Sequence, residues 1–338
     1  MSTRTEPQQD SLFDALPGVE MPVSEVGPAL SRIWSPEETG GSTPPSEFRA
    51  SQMNLILHFG LRTTQEQARA RFDTAIRFAQ RYPCRIIALC PEGRERSERH
   101  LEGKLFTQCY IGPELRAMCC CEAIVLGYPT RDAGFLDSQV SIWLENDLPT
   151  YHWFNLIPRE RIEQIHLSFI KRCRRVVYDS AVESEDFSEI PWPKPRTVRD
   201  LAWARLLPVR QSLGQFLSAY KPADLAEGLQ GVTVRHENMP AEARQLLLWQ
   251  RHALEGCAER AQLPLQAAFG IEENVQDRGH CLETQWHYAE ADKYFRWSHC
   301  ASGSDATFEA CFGGKAVAFP LSISWIAPET ELAEALFF

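Results

Sequence analysis

No stretch of this 338-residue chain reaches the run of about 18 apolar residues that a bilayer-spanning helix needs. The first residues, MSTRTEPQQDSLFDALPG, also lack the charged-then-apolar layout of a secretory signal, so a soluble, cytoplasmic protein is expected. Positive charge is scarce: 35 Lys and Arg stand against 45 Asp and Glu, for a net charge of -10. That balance opposes nucleic acid or an anionic membrane as partner, because both recruit proteins through a positive field. A protein or a small molecule is the expected partner. The cysteines number 11, an odd count scattered without small-domain spacing, which speaks against a secreted disulfide framework and for a reducing compartment.

Catalytic signatures are missing too. Gly313-Gly314-Lys315 looks like the end of a phosphate loop, but Glu309 stands where the first glycine belongs and Ala316 where Ser or Thr would bind magnesium. The turn after the first apolar run, Gly60-Leu61-Arg62-Thr63, is too poor in glycine to bring a pyrophosphate against a helix N-terminus. Neither G-x-S-x-G nor H-E-x-x-H occurs. No catalytic residue, metal ligand or cofactor is therefore assigned, and the chain is expected not to be an enzyme.

What is present is ordinary globular composition, 44% hydrophobic and 24% charged, over a length that suits two domains. Residues 1–20 read as a flexible tail. VSEVGPALSRIW has helical spacing, and the Thr39–Pro45 run reads as a linker. Met53–Phe59 is a continuous apolar run of the kind found in strands covered on both faces. A helix follows, opened by Thr63 with Glu66 as a capping box, and RIIALC is the next strand, which predicts a parallel crossover. Strands are expected at Leu105–Ile111, Cys119–Leu126 and Pro149–Phe154, with helices through Phe135–Leu144 and Arg159–Cys173. Pro191, Pro193 and Pro195 mark a hinge. Beyond it, two helical segments, Asp200–Tyr220 and Ala241–Ala261, flank the strand-like VTVRHE, and from Leu263 onward the pattern turns to period-two alternation. The expected fold is α/β: a layered N-terminal α/β domain (21–190) with a mostly parallel or mixed sheet, then an α+β C-terminal domain (191–338) ending in an antiparallel meander.

Several residue groups invite a chemical reading. Cys119, Cys120 and Cys121 are consecutive, and on a strand neighbours face opposite sides, so the three cannot wrap one tetrahedral zinc. They read as small core residues, with a thiol switch through Cys109 on the preceding strand as the alternative. His280, Cys281, His287, His299, Cys300 and Cys311 are ligand types at irregular spacing, and packing is the simpler account of them. Lys171, Arg172, Arg174 and Arg175 suit the negative end of a helix dipole.

Read in order, a series of segments resembles the glucose-6-phosphate dehydrogenase assembly protein family, OpcA. They are Leu30-Ser31-Arg32-Ile33-Trp34, Phe48–Leu55 (FRASQMNL), Tyr82-Pro83-Cys84-Arg85, Cys121-Glu122, Asp147-Leu148-Pro149 with Trp153, Val176–Ser180 (VVYDS) and Asp200–Leu206 (DLAWARL) with Arg210. Trp153-Phe154 replaces the family's usual Trp pair, and Cys84 replaces a small residue. The resemblance implies a non-catalytic assembly factor and allosteric activator that binds glucose-6-phosphate dehydrogenase, serves the oxidative pentose phosphate pathway and needs no cofactor. It also implies that thiol oxidation tunes the activation, with Cys109 and Cys119–Cys121 as candidates. A sugar-phosphate or nucleotide-binding α/β enzyme or sensor is the alternative. As partner contacts, Trp203, Arg205 and Arg210 combine residue types favoured at binding hot spots. Asp147 and Trp153 are the remaining candidates, set against their structural uses in a turn and a buried strand.

Overall fold

In the computed structural model, which describes residues 11–33, 51–93, 101–111, 118–274, 279–300, 303 and 305–338, the Ser11 hydroxyl accepts the Asp14 amide and caps α1 (Leu12–Ala15). The chain continues through β1 (Val19–Pro22) into α2 (Val23–Ile33). Residues 11–20 are thus structured, where the sequence reads as tail: β1 pairs antiparallel with a later strand, and Leu12, Phe13 and Leu16 are buried. The burial of three large apolar side chains outweighs the ordering cost of so short a segment. The expected linker and the Phe48-Arg49-Ala50 part of the motif lie outside the described residues.

Every residue of β2 (Met53–Phe59) is buried. Helix α3 (Gln65–Arg81) follows, capped one residue later than the sequence suggests, by Thr64 with Gln67 reaching back. Thr63 instead donates its hydroxyl to the Asn155 carbonyl, 3.4 Å away. Next come β3 (Cys84–Glu92), β4 (Glu102–Ile111), β5 (Met118–Pro129), a 3₁₀ turn at Thr130–Phe135 running into α4 (Leu136–Ser141), and β6 (Thr150–Asn155). One helical stretch then comprises α5 (Arg159–Arg161), a π turn at Ile162–His166 and α6 (Leu167–Ile170). The chain reaches β7 (Arg175–Tyr178) and β8 (Val198–Asp200). These strands form one mixed sheet in the order β1-β4-β5-β3-β2-β6-β7-β8. From β5 to β8 neighbours are parallel, and β4 and β1 continue antiparallel at one edge. Ile56, Ile87 and Ile124 pack with Leu136, Val140 and Phe169 of the helices on one face.

The described chain divides into two compact units, Met1–Asp200 with Pro328–Phe338, and Leu201–Ala327. The proline run at 191–195 does not end the first unit, because the chain continues into β8, which pairs with β7. The last helix, α11 (Pro328–Phe337), belongs to that unit: Phe337 stacks on Phe78 of α3 at 6.0 Å.

The second unit contains α7 (Leu201–Arg205), α8 (Leu207–Leu217), α9 (Pro222–Ala226), β9 (Leu229–Glu237), α10 (Pro240–Ala261), β10 (Ala268–Glu273), β11 (Cys281–Tyr288), β12 (Tyr294–Cys300), β13 (Asp305–Cys311) and β14 (Val317–Ser322). Its sheet runs β10-β9-β11-β12-β13-β14. Pairing is antiparallel from β9 onward, and β10 alone joins β9 in parallel. Period-two alternation puts Trp286, Phe295, Trp297 and Phe308 on the inner face, in one core with Val209, Leu213, Leu246 and Leu254 of the helices. The fold is α/β, with a large mixed sheet and a second, antiparallel-rich sheet.

Candidate functional site

The segments singled out in the sequence meet in the first unit as pairs of polar residues that satisfy one another. Buried Asn54 donates its side-chain amide to the Glu145 and Leu148 carbonyls at 3.1 and 3.4 Å, and its carbonyl oxygen accepts the Glu145 amide at 3.1 Å. This fixes the turn that carries Asp147-Leu148-Pro149. Arg85 reaches Glu122 at 2.5 Å, Glu145 at 2.7 Å and the Trp143 carbonyl at 2.7 Å. A guanidinium that is 6% exposed thus has both carboxylates and a carbonyl around its fork, which is what makes its burial tolerable. Asp200 accepts the Ser180 amide at 3.0 Å and its hydroxyl at 2.6 Å. These motif residues build a scaffold.

The expected contact residues fall in different settings. Trp153 is fully buried and has no surface to offer a partner. Asp147 is exposed on its turn. Arg205 pairs with Glu242, which is itself buried, so its guanidinium is engaged within the second unit. Trp203 and Arg210 are half-buried and stack, the Arg210 guanidinium carbon lying 3.8 Å from the indole centroid.

Cys121 is buried, whereas Cys109 is exposed on β4 and disulfide-bonded. The side chains of Cys119 and Cys120 lie outside those described. Cys281 and Cys300 face each other across β11 and β12 and form a disulfide, which removes two thiolates from the ligand set considered for zinc. Among the described residues no group of three or more His, Cys, Asp or Glu is placed to hold a metal ion.

The feature that the sequence reading missed lies where β5, β3, β2 and β6 end. His58 of β2 and His152 of β6 are completely buried. The Nδ1 of His58 is 3.2 Å from Nε2 of His152, and its Nε2 is 2.9 Å from the Tyr128 hydroxyl. The His166 ring stands edge-on to His58 at 4.7 Å. Burial, and then the mutual repulsion of the rings, holds His58 and His152 well below the ordinary imidazole pKa. Burial, followed by the Arg161 charge, takes His166 down to about 4. All three are neutral near pH 7. Nothing in MNLILHF or YHWF marks a cluster beyond an imidazole in an apolar strand. The parallel register, which pairs Ile56 with His152 and His58 with Phe154, brings both onto one face.

Above this layer the loops are tightly braced. Gly60 donates its amide to the Asn155 carbonyl at 2.7 Å, and a Cβ on Gly60 would sit 1.8 Å from the Leu156 carbonyl oxygen. Leu156 itself has φ +54°, and its amide donates to Glu183 at 2.8 Å. Burial pushes the Glu183 carboxyl up to about 7, against the opposing effect of that amide. A hollow opens between the loops, with Phe59, Leu61, Ile157 and Pro158 as walls and Tyr128, Arg161 and His166 as its polar points. A second hollow adjoins it through Thr130 and Arg161.

Residues 75–191 match the family model described as glucose-6-phosphate dehydrogenase subunit N-terminal domain. No curated protein matches the chain. Among solved structures, yvaA from Bacillus subtilis aligns with TM-score 0.44 and 8% identity over 83% of this chain and 86% of its own. KijD10, a 3-ketoreductase from Actinomadura kijaniata, aligns with TM-score 0.40 and 8% identity over 85% and 88%. At these scores the likenesses carry no argument. No described helix is long and apolar enough to cross a membrane.

Proposed function

Since residues 75–191 place the chain in the OpcA family of glucose-6-phosphate dehydrogenase assembly proteins, we propose that it binds glucose-6-phosphate dehydrogenase in the cytoplasm and favours the active oligomer, without catalysis of its own. The family match is the observation that carries this reading. The buried motif network supports it from another direction. Arg85, Glu122, Glu145 and Asn54 are spent on one another, which is what a rigid binding scaffold needs. An activator has only to prefer the competent state of its partner, and about 1–3 kcal/mol of preference gives roughly 5- to 150-fold coupling.

As partner contacts we propose, within the second unit, the half-exposed Trp203–Arg210 stack and Arg205, and, within the first unit and independently of these, exposed Asp147, with Trp153 left to the core. Within the matched segment, Phe135 and Ile142, which flank α4, are 71% and 72% exposed and add two apolar side chains to the candidate contacts of the first unit. Redox control would act through Cys109, whose disulfide lies on the exposed face of β4 and would be opened by a reductant.

Mixing the purified chain with the dehydrogenase of the same source tests the proposal. A mass increase by light scattering together with faster sugar-phosphate oxidation is expected, and a W203A/R210A variant should weaken both by roughly tenfold or more. No complex and no change in rate would overturn it. The reading as a sugar-phosphate or nucleotide-binding protein has one observation in its favour, the hollow at the strand ends.

A further inference from the structure

We infer that the strand-end crevice of the first unit binds a small phosphate monoester, with the anionic head on Arg161 and the body in the apolar hollow between the β2 and β6 loops. The topology sets the place. The chain leaves β2 toward β3 on one side and later returns to β6 on the other, both pairings parallel. In open α/β sheets the crevice beyond the strand ends at such a reversal is where ligands lie. The hollow has the usual constitution of a ligand site, apolar walls with a few convergent polar groups.

Charge selects the class of ligand. Arg159 is held by Glu163 at 2.7 Å and Glu189 at 2.5 Å. Two residues further on, Arg161 has no ion pair or side-chain hydrogen bond among the described residues, and it lines both hollows. Its charge reaches the Tyr128 hydroxyl and His166. Arg62 and Arg131 stand on the rim. Their pairings, Arg62 with Glu185 at 3.3 Å and Arg131 with Asp132 at 3.8 Å, involve exposed guanidinium groups and cost little to exchange for an incoming anion. Among the described residues the carboxylate lining the second hollow, Glu92, is buried and accepts the Ser11 hydroxyl at 3.1 Å. Three guanidinium groups around one crevice, in a chain of net charge -10, suit a dianion.

The dinucleotide mode is closed. The first-turn amide of α3 is already taken by Thr64, and Gln67 occupies the cap amide. The Leu156 carbonyl lies against Gly60 where a pyrophosphate would have to approach. An anion must therefore be met by side chains, which favours a terminal phosphate. Leu156 adds a strained backbone at the rim, of the kind that persists at ligand clamps.

The test uses the full chain alone, so its failure leaves the dehydrogenase reading standing and the converse also holds. Calorimetric titration and thermal unfolding are followed with inorganic phosphate, phenyl phosphate and glucose 6-phosphate. Phenol and glucose serve as uncharged counterparts, and benzoate as a carboxylate. The phosphate esters should bind and raise the unfolding temperature by about 2 °C or more at ten times Kd, and the uncharged counterparts should not. Arg161→Gln should weaken binding roughly tenfold or more while the ligand-free unfolding temperature stays unchanged, and Arg159→Gln should leave binding intact. The proposal falls if no phosphate ester binds, if phenol or benzoate binds as tightly as phenyl phosphate, or if Arg161→Gln binds like the native chain.

Discussion

At the scale of single residues, Gly60 has no room for any side chain. A methyl group there would need the Leu156 carbonyl, 1.8 Å from its position, to move, and that carbonyl belongs to a loop already held by Glu183 and Asn155. Gly60→Ala is expected to lose about 3 kcal/mol of stability, measured by urea unfolding; a loss under about 1 kcal/mol would show that the two loops are not braced. The sequence displayed the residue and hid the reason, since a glycine after a strand suggests conformational freedom, whereas here the requirement is close approach of two backbones. The same limit applies to Arg85, Glu122 and Asn54. Their types could be quoted from the chain, but which carboxylate neutralises which cation depends on the order of β5, β3 and β2, and no local pattern encodes that. Arg161 was invisible for a related reason. PRERIEQIH reads as any solvated helix until Glu163 and Glu189 are seen to choose Arg159.

At the scale of elements, the layer formed by β2, β6 and the 159–170 helix titrates as a unit. His58, His152 and His166 have folded pKa values depressed below 6.5 by burial, so the unfolded chain binds more protons below that pH and stability falls as pH drops through 6.5. Glu183 works in the opposite sense. Its carboxyl is raised from 4.5 to about 7, so its contribution is full below 4.5 and is lost as pH rises toward 7. Between pH 4.5 and 6.5 the three imidazoles outweigh the one carboxyl, and the net uptake on unfolding approaches two protons. Unfolding free energy should therefore decline toward acid in that window, and Glu183→Gln should steepen the decline by removing the opposing group. A flat profile, or an unchanged slope in the variant, would contradict the neutral-imidazole layer. Periodicity revealed the strands, α3 and the meander, because apolar spacing reports burial directly. It missed α1, β1, β8 and α11, which are short or terminal and are held by contacts from distant parts of the chain.

At the scale of the molecule, the first unit is completed by residues far along the sequence. Leu332 and Leu336 of α11 are fully buried, and Phe337 rests on Phe78, Tyr82 and Tyr151. Truncation after Ala327 should cost the first unit about 3–6 kcal/mol from the two leucines alone, read as earlier loss of the Trp143 and Trp153 environment in urea; an unshifted midpoint would mean that α11 is dispensable. The path out at Asp200 and back at Pro328 also has a temporal side. On the ribosome, the eight-stranded sheet emerges long before the helix that covers α3, so the nascent chain carries an uncovered aromatic patch while Leu201–Ala327 is still being synthesised. Chaperone occupancy during translation should be concentrated in that interval and end once residues 328–337 clear the exit tunnel.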